Sequence, residues 1–224
     1  MRPLSITWLG HATFVLESPG GKRLIFDPFV TGNPSAPDDA KKAIGALDLM
    51  LVTHGHSDHT GDAVPLGRST GAHVIAPHEL SVWLQKKGLK NVTGMNPGGT
   101  LRMLGLSITM VPAQHSSSVE EDGQVIYMGV ATGYVVTFEN GQTIYYAGDT
   151  SIFGDMRLIG EMYHPQIAFL PIGDHYDGPG AGRESVRSAW CEAGGADALR
   201  NVPRADRHAR ETPRTRRTAR RAGA

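Results

Sequence analysis

The sequence predicts a mixed α/β protein in which sheets and helices pack in layers. Short aliphatic segments with the pattern of strands recur between glycine-rich turns, and segments with helical spacing separate some of them. A length of 224 residues is enough for one domain with a sizeable core. Several predicted strands end directly before polar residues that can bind a metal. In layered α/β folds ligands gather at such strand ends.

The first half of the chain predicts a β-hairpin followed by alternating strands and helices. Gly10-His11 interrupts the first strand, and Pro19-Gly20-Gly21 supplies the hairpin turn. Residues 31–40, rich in Pro, Gly and Asp, are predicted as loop. The predicted strands are 5–9, 12–17, 22–26, 47–52 and 72–76, and the predicted helices are 62–70 and 78–87.

The second half predicts two strand pairs, a helix and a final strand. Asn140-Gly141 between two β-rich segments is a strong hairpin signal. The predicted strands are 101–104, 106–111, 134–138, 142–146 and 166–170, and the predicted helix is 151–163.

The densest group of candidate metal ligands directly follows the buried strand 47–52. Residues two apart in an extended segment point to the same side, so His54 and His56 can reach one cation, while Asp58 and His59 can face a second. Imidazole and carboxylate ligands suit zinc, and also manganese, iron or nickel. The alternative is a polar loop that happens to contain histidines. Three histidines and an aspartate within six residues disfavour it.

His115, Asp149 and His175 also follow predicted strands, which suggests one shared site. Two ions about 3.5–4 Å apart can hold a hydroxide between them and polarise a substrate oxygen. Asp149 would bridge the ions with its two oxygens, although Gly-Asp-Thr is also good turn chemistry. Asp58 and Asp149 are therefore the predicted catalytic residues. Asp27, together with Asp62, is a candidate outer-shell partner for the histidines.

Composition narrows the class of protein. The single cysteine, Cys191, excludes an internal disulfide framework and fits a reducing compartment. The N-terminus lacks a signal-peptide pattern, and no segment approaches the length of a membrane span. We expect a cytoplasmic enzyme with a small-molecule substrate, and its oligomeric state stays open.

The motifs resemble those of the metallo-β-lactamase superfamily. Within it, residues 4–176 are similar to a family of bacterial and archaeal metal-dependent hydrolases. That family is related to ascorbate-6-phosphate lactonases and to the N-acylphosphatidylethanolamine-hydrolysing phospholipase D. The motifs are Thr-Trp-Leu-Gly-His-Ala-Thr-Phe (7–14), Phe-Asp-Pro-Phe (26–29), His-Gly-His-Ser-Asp-His (54–59), His-Ser-Ser-Ser (115–118), Gly-Asp-Thr (148–150) and Leu-Pro-Ile-Gly (170–173).

The resemblance implies an αββα sandwich with metals at one rim. It also implies that a metal-bound hydroxide hydrolyses an ester, lactone or phosphodiester. Matched motifs give a substrate or outer-shell role to His11 and His175. They assign His54, His56 and His115 to one metal, Asp58 and His59 to the other, and Asp149 to the bridge.

The C-terminal segment departs from the family pattern. Residues 1–177 hold 11 Lys and Arg against 17 Asp and Glu, a net charge of −6, whereas residues 178–224 hold 11 against 5, a net charge of +6. Family members instead continue with a strand ending in Pro-Met-His-Tyr-Gly-Thr-Phe-Pro, whose histidine completes the second metal site. One possible set of codons for residues 194–203 is GGT GGT GCC GAT GCA CTA CGG AAC GTT CCC. Read one base later, this encodes Val-Val-Pro-Met-His-Tyr-Gly-Thr-Phe-Pro.

We therefore predict a change of reading frame between about Asp177 and Trp190. It divides the chain into a hydrolase domain over 1–177, incomplete at its C-terminus, and an Arg-rich, disordered tail over 178–224. The second metal site is predicted to be weakened. Two other functions remain open. One is a metal-binding pseudoenzyme. The other is nucleic-acid binding through the basic tail. Nucleic-acid binding is less favoured, because a tail translated out of frame has not been selected for a function.

Overall fold

A computed structural model describes residues 2–171 of the chain. The first sheet has six strands in sequence order. The first three are antiparallel neighbours, and from β3 onward the pairing is parallel. Its strands are β1 (Ser5–Trp8), β2 (Phe14–Glu17), β3 (Arg23–Phe26), β4 (Leu49–Leu51), β5 (His73–Pro77) and β6 (Val92–Met95).

The second sheet has five strands in the order β13-β12-β11-β8-β7. All its pairs are antiparallel except the parallel pair of β12 and β13. A separate two-stranded hairpin, β9–β10, lies between β8 and β11 in the chain. These strands are β7 (Thr100–Met103), β8 (Leu106–Pro112), β9 (Ser118–Glu121), β10 (Gln124–Tyr127), β11 (Thr132–Thr137), β12 (Thr143–Tyr146) and β13 (Ile167–Phe169).

Helices cover the outer faces of both sheets, so the layers are helix, sheet, sheet and helix. The helices are α1 (Ala40–Ile44), α2 (Ser57–Thr60), α3 (Ala63–Thr70), α4 (His78–Lys86) and α5 (Asp155–Tyr163). Alternate residues of a strand point to opposite faces, so each sheet can fill two cores. In the first sheet Leu49 and Leu51 face the second sheet, whereas Met50 faces the helices.

Three apolar clusters hold these layers together. The central cluster joins the sheets through side chains such as Phe26, Leu51, Ile108 and Tyr134. A second cluster packs the first sheet on α1, α3 and α4, and a third packs β11 and β12 on α5 through Ile159. The predicted αββα sandwich is therefore confirmed.

The structure also contains elements that the sequence analysis missed. Strand β6 and the hairpin β9–β10 were not predicted, and α1 begins at Ala40, the last residue of a predicted loop. A one-turn helix, α2, begins at Ser57 after the predicted strand 47–52, and it was not predicted either. His175 and the predicted tail lie outside the described residues. Among residues 2–171, no helix has the length and apolar character that crossing a membrane requires.

Candidate metal centre

The candidate ligands meet at one rim of the sandwich because they follow strands of both sheets. His54 and His56 follow β4, His115 follows β8, and Asp149 follows β12. Within the described residues their side-chain atoms form three groups, in each of which all ligand atoms lie within 4.8 Å of one another. The groups are His54–His56–His115, His11–Asp58–His59 and His54–His59–Asp149.

The first group brings together the three histidines predicted for one metal. His54 Nε2 and His56 Nδ1 are 3.0 Å apart. The rings of His54 and His56 lie 5.1 and 5.2 Å, centroid to centroid, from that of His115. The other nitrogen of His56 lies 3.4 Å from the Ser116 hydroxyl. One ring nitrogen of His56 thus lies next to His54, and the other lies next to the Ser116 hydroxyl.

The second group joins the turn between β1 and β2 to α2. Asp58 and His59 lie on α2, and His56 directly precedes that helix in an extended conformation. His11 Nε2 is 3.4 Å from Asp58 Oδ2, and both side chains are partly exposed at the rim. Asp58 and His59, which were predicted to share one ion, thus lie in the same group. The matched motifs predicted a substrate or outer-shell role for His11 near the site, and the structure brings its ring beside these two residues.

Asp149 lies between the other two groups. Its Oδ2 is 3.2 Å from His59 Nε2 and 3.8 Å from His115 Nε2. The third group thus contains His54 from the first group and His59 from the second. A carboxylate in this position can offer one oxygen to each of two neighbouring ions.

The buried carboxylate of Asp27 fixes the ring of His59. Asp27 follows β3, is fully buried, and has a left-handed backbone with φ of 41°. His59 Nδ1 lies 2.8 Å from Asp27 Oδ2, so its N–H donates to the carboxylate and Nε2 is left to face Asp149. The Tyr146 hydroxyl lies 3.0 Å from Asp27 Oδ2 and 2.5 Å from the Ala12 carbonyl oxygen, so its single proton is shared between these two acceptors. Asp27 thus contacts a candidate ligand histidine, and its predicted outer-shell role stays a prediction.

Thr53 connects the same carboxylate to His54. Its hydroxyl lies 2.7 Å from Asp27 Oδ2 and 2.9 Å from His54 Nδ1. A hydroxyl has one proton, and the carboxylate can only accept, so Thr53 donates to Asp27 and accepts from His54 Nδ1–H. His54 Nε2 is then the unprotonated nitrogen at the cluster. One carboxylate therefore sets the tautomers of both histidines.

The histidines of the site differ in the direction in which their pKa values are shifted. Burial, reinforced by the positive charge of His59, holds the pKa of His54 well below its usual value. Burial also lowers the pKa of His56. For His59 burial alone would do the same, but the charges of Asp27 and Asp149 raise its pKa to about 10. The two carboxylates therefore favour a positive charge at His59, which a proton or a metal ion can supply.

The donor set and its spacing fit divalent metal ions. Ligands about 2.0–2.1 Å from a tetrahedral ion lie roughly 3.3 Å from one another. The distances of 3.0, 3.2 and 3.4 Å between neighbouring ligand atoms are close to that value. The Nε2 atom of His59 is buried and makes no hydrogen bond of good geometry, despite its proximity to Asp149. A buried imidazole nitrogen left without a hydrogen bond fits the role of a metal ligand.

One residue has a different role from the one predicted, and two partners were not predicted. Asp62 was a candidate partner for a histidine, but its Oδ2 instead accepts the backbone N–H groups of Val30 and Thr31. Thr53 and Tyr146 were missed as partners of Asp27. The only signal for Thr53 was its position directly before His54. Nothing in the sequence distinguished Tyr146 from the other tyrosines of its hairpin.

Comparison with known proteins identifies the class to which this fold and site belong. Residues 22–216 match the beta-lactamase superfamily domain, so the chain belongs to that superfamily. It is 49% identical over 176 residues to a UPF0173 metal-dependent hydrolase of Koribacter versatilis, which covers 79% of this chain and 75% of that one. It is 52% identical over 170 residues to one of Rubrobacter xylanophilus, over 75% and 70% of the two chains.

The chain is therefore a member of the UPF0173 metal-dependent hydrolases. A solved structure of similar fold is Igni18, a novel metallo hydrolase from Ignicoccus hospitalis. Its TM-score is 0.70 at 36% identity, and the match covers 83% of this chain and 76% of that one. These findings confirm the predicted superfamily and a metal-dependent hydrolase as the class of enzyme.

Proposed function

We propose that the chain is a dinuclear hydrolase that acts on an ester, lactone or phosphodiester, with zinc favoured and manganese, iron or nickel as alternatives. One observation carries the proposal. The third group, His54–His59–Asp149, contains a histidine from each of the other two groups, so the Asp149 carboxylate lies between two sets of ligand atoms. A pair of neighbouring sites linked by one carboxylate is the arrangement that two-metal hydrolysis needs.

The residues of the proposed site have distinct roles. His54, His56 and His115 would hold one ion, Asp58 and His59 the other, and Asp149 both. Bound divalent ions would supply Lewis acidity, which lowers the pKa of a water molecule and polarises the oxygen of the substrate.

Asp58 is suited to orient the attacking water, because its side chain remains 43% exposed at the rim whereas Asp27 and His59 are buried. The exposed side of the rim is also where a small-molecule substrate can approach. Asp27 and Thr53 would keep His59 and His54 in the tautomers that leave Nε2 for a ligand.

The test combines metal counting with a substrate panel. Purified protein is reconstituted with Zn, Mn, Fe or Ni, and each ion is counted by elemental analysis. Hydrolysis of an aryl ester, a lactone and an aryl phosphodiester is then measured. We expect bound metal and turnover of at least one substrate class, with both lost in the double variant His54→Ala, His56→Ala.

A variant pair separates catalysis from folding. Asp58→Ala should lower turnover strongly, by roughly 100-fold or more, because a preorganised catalytic carboxylate is removed. Asp155→Ala, which changes an exposed carboxylate in the first turn of α5, serves as the matched control and should leave turnover unchanged. A protein that binds no metal after reconstitution would contradict the proposal. Metal binding without turnover of any substrate would indicate a pseudoenzyme.

A further inference from the structure

We propose that His11 is a direct ligand of the second metal ion, a role that matching of motifs did not give it. The inference rests on the proposed function, because it adds a ligand to the same centre. His11, Asp58 and His59 form a group whose ligand atoms all lie within 4.8 Å of one another. Asp149 lies 3.2 Å from His59 Nε2, so its carboxylate can link this group to the first.

The spacing of His11 and Asp58 favours coordination over a simple ion pair. A charge-assisted hydrogen bond between an imidazolium and a carboxylate is about 2.7–2.9 Å long. His11 Nε2 and Asp58 Oδ2 are 3.4 Å apart, which is longer than that bond. Two ligands of one tetrahedral zinc ion lie roughly 3.3 Å apart. The separation of these two atoms therefore matches that of two ligands of one ion.

The backbone holds His11 in an unusual conformation. Its φ is 50°, a left-handed value that is uncommon for residues other than glycine, and Gly10 before it has φ of 93°. Leu9 N donates to Thr13 O at 2.9 Å, and Thr13 N donates to Gly10 O at 3.0 Å, so the turn is closed by its own hydrogen bonds. Strained residues of this kind concentrate at functional sites.

Aromatic neighbours fix the orientation of the His11 ring. It meets the ring of His59 edge-on, with centroids 5.1 Å apart, and that of Phe29 at 6.1 Å. Trp8 donates its indole N–H to the His11 carbonyl at 2.8 Å. The ring is thus positioned before any ion binds, and little conformational entropy is lost when one does.

With His11 as a ligand, residues before the C-terminal segment can supply the protein ligands of the second ion. Catalytic zinc sites commonly use three protein ligands and leave one position for water or substrate. His11, Asp58 and His59 supply three, and Asp149 links them to the first site. All four lie between residues 11 and 149, so the second ion does not depend on a histidine from the C-terminal segment.

The test replaces His11 while preserving its backbone conformation. Asparagine and glycine both tolerate positive φ, so His11→Asn and His11→Gly remove the imidazole with little added strain. The control is His164→Asn, because His164 is another exposed histidine at positive φ, 45°, and belongs to none of the three groups. Metal-free melting curves check that the variants fold like the parent.

The readouts are zinc stoichiometry, the Kd of the second ion by chelator competition, and manganese EPR, in which two neighbouring ions give an exchange-coupled spectrum. Loss of an outer-shell partner weakens metal affinity roughly 10–100-fold. We expect two ions in the parent and in His164→Asn. Both His11 variants should hold one ion, lose the coupled spectrum, and have a second Kd weakened by more than that range.

The outcomes separate this inference from the proposed function. If the parent binds two ions and the His11 variants still bind two, with a loss within the outer-shell range, His11 is not a ligand although the two-metal centre stands. If the parent binds one ion, the second site does not form and the inference is wrong. A parent that binds no ion overturns the proposed function as well.

Discussion

At the scale of single residues, the carboxylate of Asp27 connects to two histidines of the candidate metal centre, to His59 directly and to His54 through Thr53. This fully buried carboxylate accepts the backbone N–H of Thr53 at 2.7 Å on one oxygen. Its other oxygen accepts from the Thr53 hydroxyl and His59, and the Tyr146 hydroxyl lies beside it at 3.0 Å. A buried charge is tolerated only when it is paired and hydrogen-bonded, and these donors meet that need. The same bonds orient histidines of both metal groups.

Replacing Asp27 with Asn should weaken metal binding and destabilise the fold. The amide NH2 cannot accept, so at least one of the buried donors loses its partner, at a cost of roughly 1–3 kcal/mol. Metal affinity should fall roughly 10–100-fold. The control Tyr146→Phe removes a donor to the same carboxylate without touching a ligand. Chelator competition that finds Asp27→Asn no weaker than Tyr146→Phe would contradict this role.

Thr53 permits a finer test of the same network. Thr53→Val keeps the shape of the side chain but removes the hydroxyl between Asp27 and His54, whereas Thr53→Ser keeps the hydroxyl. We expect Val to weaken binding of the first ion by about tenfold, in the range of outer-shell partners, and Ser to have a much smaller effect. Equal effects of the two changes, measured by zinc competition, would show that packing rather than the hydrogen bond matters.

At the scale of elements, the turn after β12 determines where Asp149 lies. Gly148 has φ of 63°, and a Cβ there would be 2.9 Å from the Thr53 side chain. Glycine is thus required at position 148 for two reasons. It adopts the left-handed backbone, and it allows the close approach to the strand end that carries His54. The turn at the other end of β12 provides a comparison, since Gly141 has φ of 82° and open space around it.

These two glycines predict different costs for the same substitution. Gly141→Ala should cost roughly 1–2 kcal/mol, from backbone strain alone. Gly148→Ala adds a clash that overpacks the interior by roughly 1–3 kcal/mol more and displaces Asp149. The melting temperature of Gly148→Ala should therefore be well below that of Gly141→Ala. Only Gly148→Ala should also lose metal affinity. Identical melting and metal binding for the pair would refute this account.

The elements also show how far sequence reasoning reaches. Strands with alternating or wholly apolar composition, such as β4 and β11, were predicted because composition there reflects burial. Strand β10 was missed because all four of its residues, Gln124–Tyr127, are exposed and carry no burial pattern. Strand β6 contains Gly94 and is nowhere fully buried. The one-turn helix α2 is too short for a periodic signal.

At the scale of the whole molecule, packing of the two sheets assembles the site. The local pair of His54 and His56 could be predicted from spacing, because both lie in one extended segment. The meeting of His11 with Asp58 could not, since it depends on how the turn after β1 lies across α2. The link from Tyr146 to Asp27 joins the two sheets across 119 positions. Contacts of this kind follow from topology and have no local signature.

The second sheet raises the question of its C-terminal continuation. Strand β13 is the edge of that sheet as described, and Ile167 and Phe169 on it are only partly buried. An apolar, unpaired edge promotes association between chains. We propose that the reading frame changes between about residues 177 and 190, so that a strand and a histidine of the family pattern are missing after β13. The superfamily match to residue 216 leaves an in-frame but divergent C-terminus as the alternative.

The frame proposal predicts a difference between the present chain and one whose frame is restored upstream of Gly194. The restored chain should melt higher and remain soluble at higher concentration, because its added strand would cover the edge at β13. It should also bind the second ion more tightly, since a further histidine would join that site, although with the proposed ligands His11, Asp58 and His59 both chains would hold two ions. Light scattering, thermal melting and second-ion Kd values measured on the two proteins test this, and sequencing the gene across codons 175–200 tests the frame directly. Equal melting, solubility and affinity would show that the present C-terminus is a functional variant of the family pattern.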